Sequence, residues 1–330
     1  MGLSFYDPTA SLCTIDFDGV SAGAPVSVAA PDGIGEGVAR LADGRVVALG
    51  YPQRLLFFDA SLNRLTASDR NDVIGLGLNL PRGIAWDGPG GRHLISHGIG
   101  GALQVGAVSA VPPSLVSSTQ LVDLFAIPPG PYPQTRSLEF LADEGLIALA
   151  HRGQGAPLPP SPSRFRGILL YDSGGAFVDA IDSPASPPPP PGNRLRPYAL
   201  SYVPGATTGT GEFVAVFSGS PQIVYFLDRT TGAVTGSVNL SMTTAAVSSI
   251  AAITRFDAGA GDRLLVFEAS PSSRAVITHL SGVKQAEFDY RTTLGLIGPF
   301  DLGTIFAGPT ASRFSVVNGD GGELMVFEVK

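Results

Sequence analysis

The side chains able to do chemistry in this sequence are sparse and fall at recurring intervals. Two of the four histidines, His97 and His151, close similar apolar runs, HLISHG (93–98) and LIALAHR (146–152). Glu268 and Asn318 close runs of the same kind, LLVFEAS (264–270) and FSVVNGD (314–320). Imidazole and carboxylate together suit a divalent cation, so Glu36, His97, His151 and Glu268 are the candidate metal ligands, and a divalent metal is the one cofactor such a set would take. Arg82, Arg136 and Arg152 lie near these positions, and a guanidinium fork holds a carboxylate or phosphate through paired hydrogen bonds. His93 stands on the same strand face as His97, and His279 ends a different kind of run.

Other chemistries lack their residues. The sequence has no GxGxxG, no GxxxxGK[ST], no HExxH and no GxSxG. The run Asn318-Gly319-Asp320-Gly321-Gly322 lacks the spaced acids and distal Glu of a calcium loop and reads as a hairpin turn. With one cysteine, Cys13, neither an internal disulfide nor a cysteine-built zinc site can form.

The elements that must position these residues are strands. A unit recurs six times at intervals of roughly 50 residues, as expected of propeller blades. Each unit has a short first strand, a very apolar second strand, a third strand often ending in Asp, and a more polar outer strand. The apolar runs are five to seven residues long, rich in Val, Ile, Leu and Phe, and bounded by Gly, Pro, Asp and Ser. No stretch carries a capped 3.6-residue stripe. Continuous apolar runs mean sheets covered on both faces, which blades give one another and which an α/β sheet would need crossover helices to achieve.

The reading is an all-β, six-bladed β-propeller in one domain, 1–330. Its blades span 36–68, 82–125, 136–182, 198–239, 249–289 and 300–330. The sixth unit lacks an outer strand, and LCTIDFD (12–18) has the pattern to supply it and close the ring. Cys13 in that strand is expected to be buried and unreactive. Aligning the repeats gathers first-strand starts (Glu36, Arg82, Arg136 with Ser137, Tyr198, Ser249, Asp301) and second-strand ends around one channel mouth. The candidate ligand site is therefore Glu36, Arg82, His97, Arg136, His151, Glu268 and Asn318. The proline-rich stretches 153–165 and 183–193 read as surface loops, with docking of an SH3-like or WW-like module as the alternative for the second.

Hydrophobic residues are 44% and charged ones 15%, which fits a folded chain with a large core. Forty-two glycines and 28 prolines fit many short strands and tight turns. A net charge of −7 without a basic cluster argues against a nucleic-acid partner. Nothing reaches the run of about 20 apolar residues that a membrane-spanning helix needs. Residues 1–12 lack a basic start followed by an apolar core, which leaves two compartments open: the cytoplasm, or an extracytoplasmic location with the leader already removed.

GEGVARLADGRVVALG (35–50), LPRGIAWDGPGGRHLISH (80–97) and FLDRTTGAVTGSVNL (226–240) resemble the blades of six-bladed propellers in the NHL and SMP-30/gluconolactonase group. The resemblance covers nearly the whole chain at the level of blade pattern. For the SMP-30-like hydrolases it implies a divalent metal held by an acid in the first blade and by Asn and Asp at later first-strand starts. Glu36 matches that acid. The later starts Arg82, Ser137, Tyr198 and Ser249 are not Asn or Asp, and Asp301 falls in a different blade. Two functions follow: a non-catalytic propeller that binds a protein, glycan or small polar ligand or serves as a structural subunit, and, as the alternative, a lactonase-like hydrolase with a divergent metal centre.

Overall fold

The computed structural model describes residues 9–15, 26–29, 34–40, 45–50, 54–59, 64–67, 81–87, 92–97, 102–108, 115–123, 135–141, 143–151, 166–184, 196–204, 211–218, 222–257, 261–268, 272–289, 305–307, 313–318 and 323–329, with side chains chiefly between 137 and 289. The chain begins with β1 (Thr9–Ile15) and β2 (Val26–Ala29). A first sheet holds β3 (Ile34–Arg40), β4 (Val46–Gly50), β5 (Arg54–Phe58) and β6 (Arg64–Ala67). The second holds β7 (Pro81–Asp87), β8 (Arg92–His97), β9 (Ala102–Val108) and β10 (Leu115–Asp123). The third holds β11 (Thr135–Leu141), β12 (Leu146–His151), β13 (Gly167–Asp172) and β14 (Phe177–Asp182). The fourth holds β15 (Arg196–Val203), β16 (Glu212–Ser218), β17 (Ile223–Asp228) and β18 (Val234–Asn239). The fifth holds β19 (Ala252–Asp257), β20 (Asp262–Phe267), β21 (Arg274–His279) and β22 (Lys284–Asp289), and the chain ends with β23 (Ile305–Ala307), β24 (Arg313–Asn318) and β25 (Glu323–Val329).

Within each of these sheets consecutive strands pair antiparallel. The first strands lie side by side, β3 against β7, β7 against β11, β11 against β15, β15 against β19 and β19 against β23, while β24 lies against β3. Sheets whose first strands gather round a common axis make an all-β propeller. Residues 10–15 of β1 run parallel to β25, Ala10 opposite Leu324 and Ile15 opposite Val329, and β2 lies outside β1 in antiparallel register. The strand expected at 12–18 thus begins at Thr9, and it is not outermost in its sheet. The strand at Val26–Ala29 went unread because a four-residue run carries almost no periodic signal. The first strands expected near Ser249 and Asp301 begin at Ala252 and Ile305. The loops 153–165 and 185–193 and the turn 319–322 lie outside the described residues.

The apolar runs are continuous because each sheet buries both faces. Leu141, Ala148, Ile168 and Leu170 of the third sheet pack against Leu200, Phe213, Ala215 and Tyr225 of the fourth. The other face of the fourth, with Val214, Val216, Val224 and Phe226, packs against Ile253, Leu264, Val266 and Val276 of the fifth. Phe213, Phe217 and Phe267 are among the largest fully buried side chains, each stabilising the fold by about 1.5–3 kcal/mol relative to exposure. Outer strands have one covered face, and β14, β18 and β22 accordingly alternate toward exposure.

At the end where first strands turn into second strands, ion pairs join the sheets. Arg255 on β19 pairs with Glu212 of the fourth sheet and with Asp262 of its own. The Tyr202 hydroxyl, at the equivalent register of β15, donates to Asp143 (3.0 Å) and Glu144 (3.1 Å) of the third sheet, and Arg229 pairs with Glu144 at 2.8 Å.

The Asp that ends so many third strands has a mechanical reason. The Asp172 carboxylate accepts from the backbone N–H groups of Gly174 and Ala176, and that of Asp228 accepts from those of Thr230 and Thr231, closing the turn into the outer strand. The fifth sheet makes the same turn from His279, whose N–H donates to the Val283 carbonyl while the Gly282 N–H returns to the His279 carbonyl. Gly282 has φ +82°, and a Cβ there would stand 2.6 Å from Thr243 Cγ2. Gly145 has a similar φ, +68°, but open space around it. Gly145→Ala is therefore expected to cost only the left-handed backbone term, about 1–2 kcal/mol, and Gly282→Ala clearly more. Urea unfolding of the two variants checks this, and equal costs would remove the steric part of the argument.

Candidate functional site

The mouth where first strands begin is built on repeated irregularities. Between the pairs Pro81–His97 and Gly83–Ser96, Arg82 is an extra residue on β7. Between Pro197–Phe217 and Ala199–Val216, Tyr198 is extra on β15. On β11, Arg136 and Ser137 together oppose Ala150, because pairing steps from Thr135–His151 to Leu138–Leu149. On β3, Gly35, Glu36 and Gly37 oppose Leu49, between Ile34–Gly50 and Val38–Ala48. Four consecutive first strands thus bulge at one level, and Glu36, Arg82 and Arg136 of the expected site all fall in the bulges. A bulge twists the strand and re-aims the side chain it carries. β19 pairs in unbroken register from Ala252 to Asp257, so Ser249 precedes its strand and is not equivalent. Asp301 lies outside the described residues.

The second-strand ends behave differently. His97 lies opposite Pro81, His151 opposite Thr135 and Gly167, and Asn318 opposite Glu323. Only backbone is described for Glu36, Arg82, His97, Arg136 and Asn318, whereas the side chains of His151 and Glu268 are defined. His151 is 6% exposed. Register puts it on the face of its sheet opposite Ala148 and Leu170, hence turned away from the fourth sheet. Elsewhere, His93 lies within β8 opposite Trp86, and His279 closes β21 at the far end.

Glu268 departs from its expected role. It is 2% exposed, and its carboxylate is saturated: it accepts from Arg274 Nε (3.0 Å) and Nη2 (3.1 Å), from the Ser272 hydroxyl, and from the Ser248 N–H and hydroxyl. Burial by itself would raise its pKa; the bonds from Arg274, Ser272 and Ser248 outweigh that and hold the carboxyl below its ordinary value. Arg274 also donates to the Ala245 and Ala246 carbonyls, at 3.0 and 2.7 Å. Ala246 has φ +47°, a left-handed conformation that a non-glycine residue keeps only where its surroundings hold it. The Glu268–Arg274 pair is a clamp on the segment joining the fourth and fifth sheets. A sequence signal existed in the serine and arginine (Ser272, Arg274) just downstream. Among the described residues no group of three His, Cys, Asp or Glu gathers as a metal site.

One inner-strand residue escaped the sequence reading. Glu139 on β11 pairs with Ala148, placing it in a cross-strand row with Leu170. Ser201 and Thr254 hold the corresponding positions on β15 and β19, and their hydroxyls lie 3.3 Å apart. Burial pushes the Glu139 pKa up to about 8. Part of its surface nonetheless stays accessible. Its run SLEF reads as an ordinary first strand, so no pattern marked it.

No family model matches the chain, and no curated protein matches it in sequence. Among solved structures it is similar to a chain of a nidogen–laminin complex, with TM-score 0.56 and 11% identity over 92% of this chain and 88% of that one. It is also similar to a candidate gluconolactonase, with TM-score 0.56 and 12% identity over 96% of this chain and 91% of that one. At such identities the likeness shows the fold, an all-β propeller.

Removing one partner of a buried ion pair is strongly destabilising, so Glu268→Ala is expected to cost about 3 kcal/mol in urea unfolding at neutral pH. A metal ligand with no structural duty would leave unfolding of the metal-free protein unchanged. Glu139 works in the opposite sense. Its folded-state pKa is about 8 against an ordinary 4.5, so as pH rises from 4.5 to 8 the unfolded chain gains stability by ionising while the folded chain stays protonated. Stability is lost across that window. Glu139→Gln should therefore raise Tm at pH 8 and leave it unchanged at pH 4, as thermal melts across the range will show.

Proposed function

We propose that the chain is one six-bladed propeller, 1–330, that acts as a non-catalytic binding subunit and takes its partner or ligand at the mouth where first strands begin. Six recurring sequence units, the parallel pairing of β1 with β25 and the approach of β24 to β3 support the blade count and a ring closed by the N-terminal strand. The proposed blades are 36–68, 82–125, 136–182, 198–239, 249–289 and 300–330.

The observation that carries the binding role is the run of bulges at one level of β3, β7, β11 and β15. They put Glu36, Arg82, Arg136 and Tyr198, side chains of three kinds, at one repeated position. A rigid scaffold that varies its side chains only at strand ends is suited to recognition, since the core is untouched by the variation. His97, His151 and Asn318 border that surface, while the Glu268 carboxylate is occupied by Arg274. The similar nidogen–laminin chain belongs to a protein–protein complex, which keeps a protein partner alongside a small polar ligand.

The second reading is a lactonase-like, metal-dependent hydrolase. Glu36 in the β3 bulge supplies its first acid, and Glu139, protonated near neutral pH, is the kind of group that donates a proton in catalysis.

Deleting residues 1–19 should lower Tm by several degrees, because it uncovers the edge of β25; unchanged melting would refute closure through β1. In titrations with small polar compounds and short peptides, binding should be lost in Tyr198→Ala with Arg82→Ala and kept when 184–191 are deleted. The reverse pattern would move the site to the proline-rich loop. The same protein should melt identically with and without EDTA, whereas a tightly held metal and a large EDTA-induced fall would favour the hydrolase.

A further inference from the structure

The chemical class of the ligand follows from which charges the mouth presents, given the binding role proposed above. Three consecutive first strands bring an arginine to this end. Arg82 is the extra residue of the β7 bulge, Arg136 is one of the two bulged residues of β11, and Arg196, opposite Ser218, opens β15 one residue before Pro197. Arg196 was not among the expected site residues. It stands two residues before the β15 bulge, at the same end of its strand, and only the register of β15 with β16 places it there.

Two further observations bear on the sign of charge at the mouth. Glu268, the acid at the corresponding second-strand end, is neutralised within 3.0 Å by Arg274, so it does not offset the arginines of the neighbouring sheets. The chain as a whole carries −7, and Asp123 and Asp182 close the outer strands β10 and β14 at this end, so the three arginines hold the inner, first-strand positions, where positive charge attracts an anionic ligand. Guanidinium groups match the oxygens of a carboxylate or phosphate in pairs, and a bulge leaves backbone groups outside the ladder where they can add further bonds.

We infer that the sector of the mouth formed by the second, third and fourth sheets binds a small oxyanion, the phosphate or carboxylate group of a ligand, through Arg82, Arg136 and Arg196. Glu36, on the adjacent β3, bounds the sector on one side and disfavours a second anionic group there. Tyr198, the extra residue of the β15 bulge, lies at the same level as Arg82 and Arg136.

Calorimetric titration of the intact chain at low salt, with inorganic phosphate, succinate, glucose and choline as probes, tests this. Phosphate or succinate should bind saturably, weaken with added sodium chloride, and lose affinity about tenfold or more in each of Arg82→Gln, Arg136→Gln and Arg196→Gln. Response to phosphate alone or to succinate alone identifies which oxyanion the site takes. Arg136→Lys keeps the charge without the fork and should fall between wild type and Arg136→Gln; probe-free melts of all variants should match the wild type. Oxyanion binding that survives all three substitutions overturns the inference, as does the absence of any oxyanion binding. Glucose or choline binding that disappears in Tyr198→Ala, with no oxyanion response, overturns the inference while leaving the binding role at the mouth intact.

Discussion

Everything in this molecule depends on one requirement: an apolar sheet must be covered on both faces, and here only other sheets are available to do it. The third and fourth sheets meet through Ile168, Leu170, Phe213 and Tyr225, and the fourth and fifth through Val214, Phe226, Leu264 and Val276. Each sheet is at once core for one neighbour and cover for the other. Each sheet therefore needs a neighbour on either side, a need met by first strands that gather on an axis and by the approach of β24 to β3. The polar links between sheets, Arg255 with Glu212 and Tyr202 with Asp143 and Glu144, sit at the periphery of that packing and fix its register rather than drive it.

That division of labour separates the site from the core. Ladder pairing along β12, β16 and β20 is regular, so the second strands keep the sheets in place. Among the described residues, irregularity falls on the first strands at the mouth and on the outer strands, where Leu65, Val116, Leu121, Val178, Thr235 and Gln285 are extra residues. Arg82, Arg136 and Tyr198 stand outside the ladder pairing of their strands. The neutralised Glu268 shows the contrasting case, a mouth residue drawn into the scaffold to hold the strained Ala246 segment.

The second, third and outer strands were legible in the sequence because two-sided burial writes itself as unbroken runs such as FVAVFSG and LLVFEAS, and because Asp172 and Asp228 mark their turns by a local hydrogen-bond pattern. What was not legible depends on pairing partners. The bulges cannot be read from one strand, since an extra residue is extra only relative to its neighbour, and Arg196 was passed over because only its pairing with Ser218 places it at the mouth. Glu268 was misjudged because its type and position fit a ligand, and only the approach of Arg274 and Ser248 revealed a clamp. Glu139 was missed for the reverse reason: its strand looks ordinary, and its perturbed carboxyl is a product of the sheets that enclose it.

The parallel pairing of β1 with β25 ties residues 9–15 to residues 323–329. During synthesis at about 5–20 residues per second, β1 leaves the ribosome roughly a quarter of a minute to a minute before its partner exists. Throughout that interval β1 has only β2 to pair with and its other edge stays open, while the intervening sheets can form from near neighbours as they emerge. Pairing of β1 with β25 therefore waits on the synthesis of β25, a long window in which a chaperone, or the β25 of another copy, has the opportunity to reach β1 first.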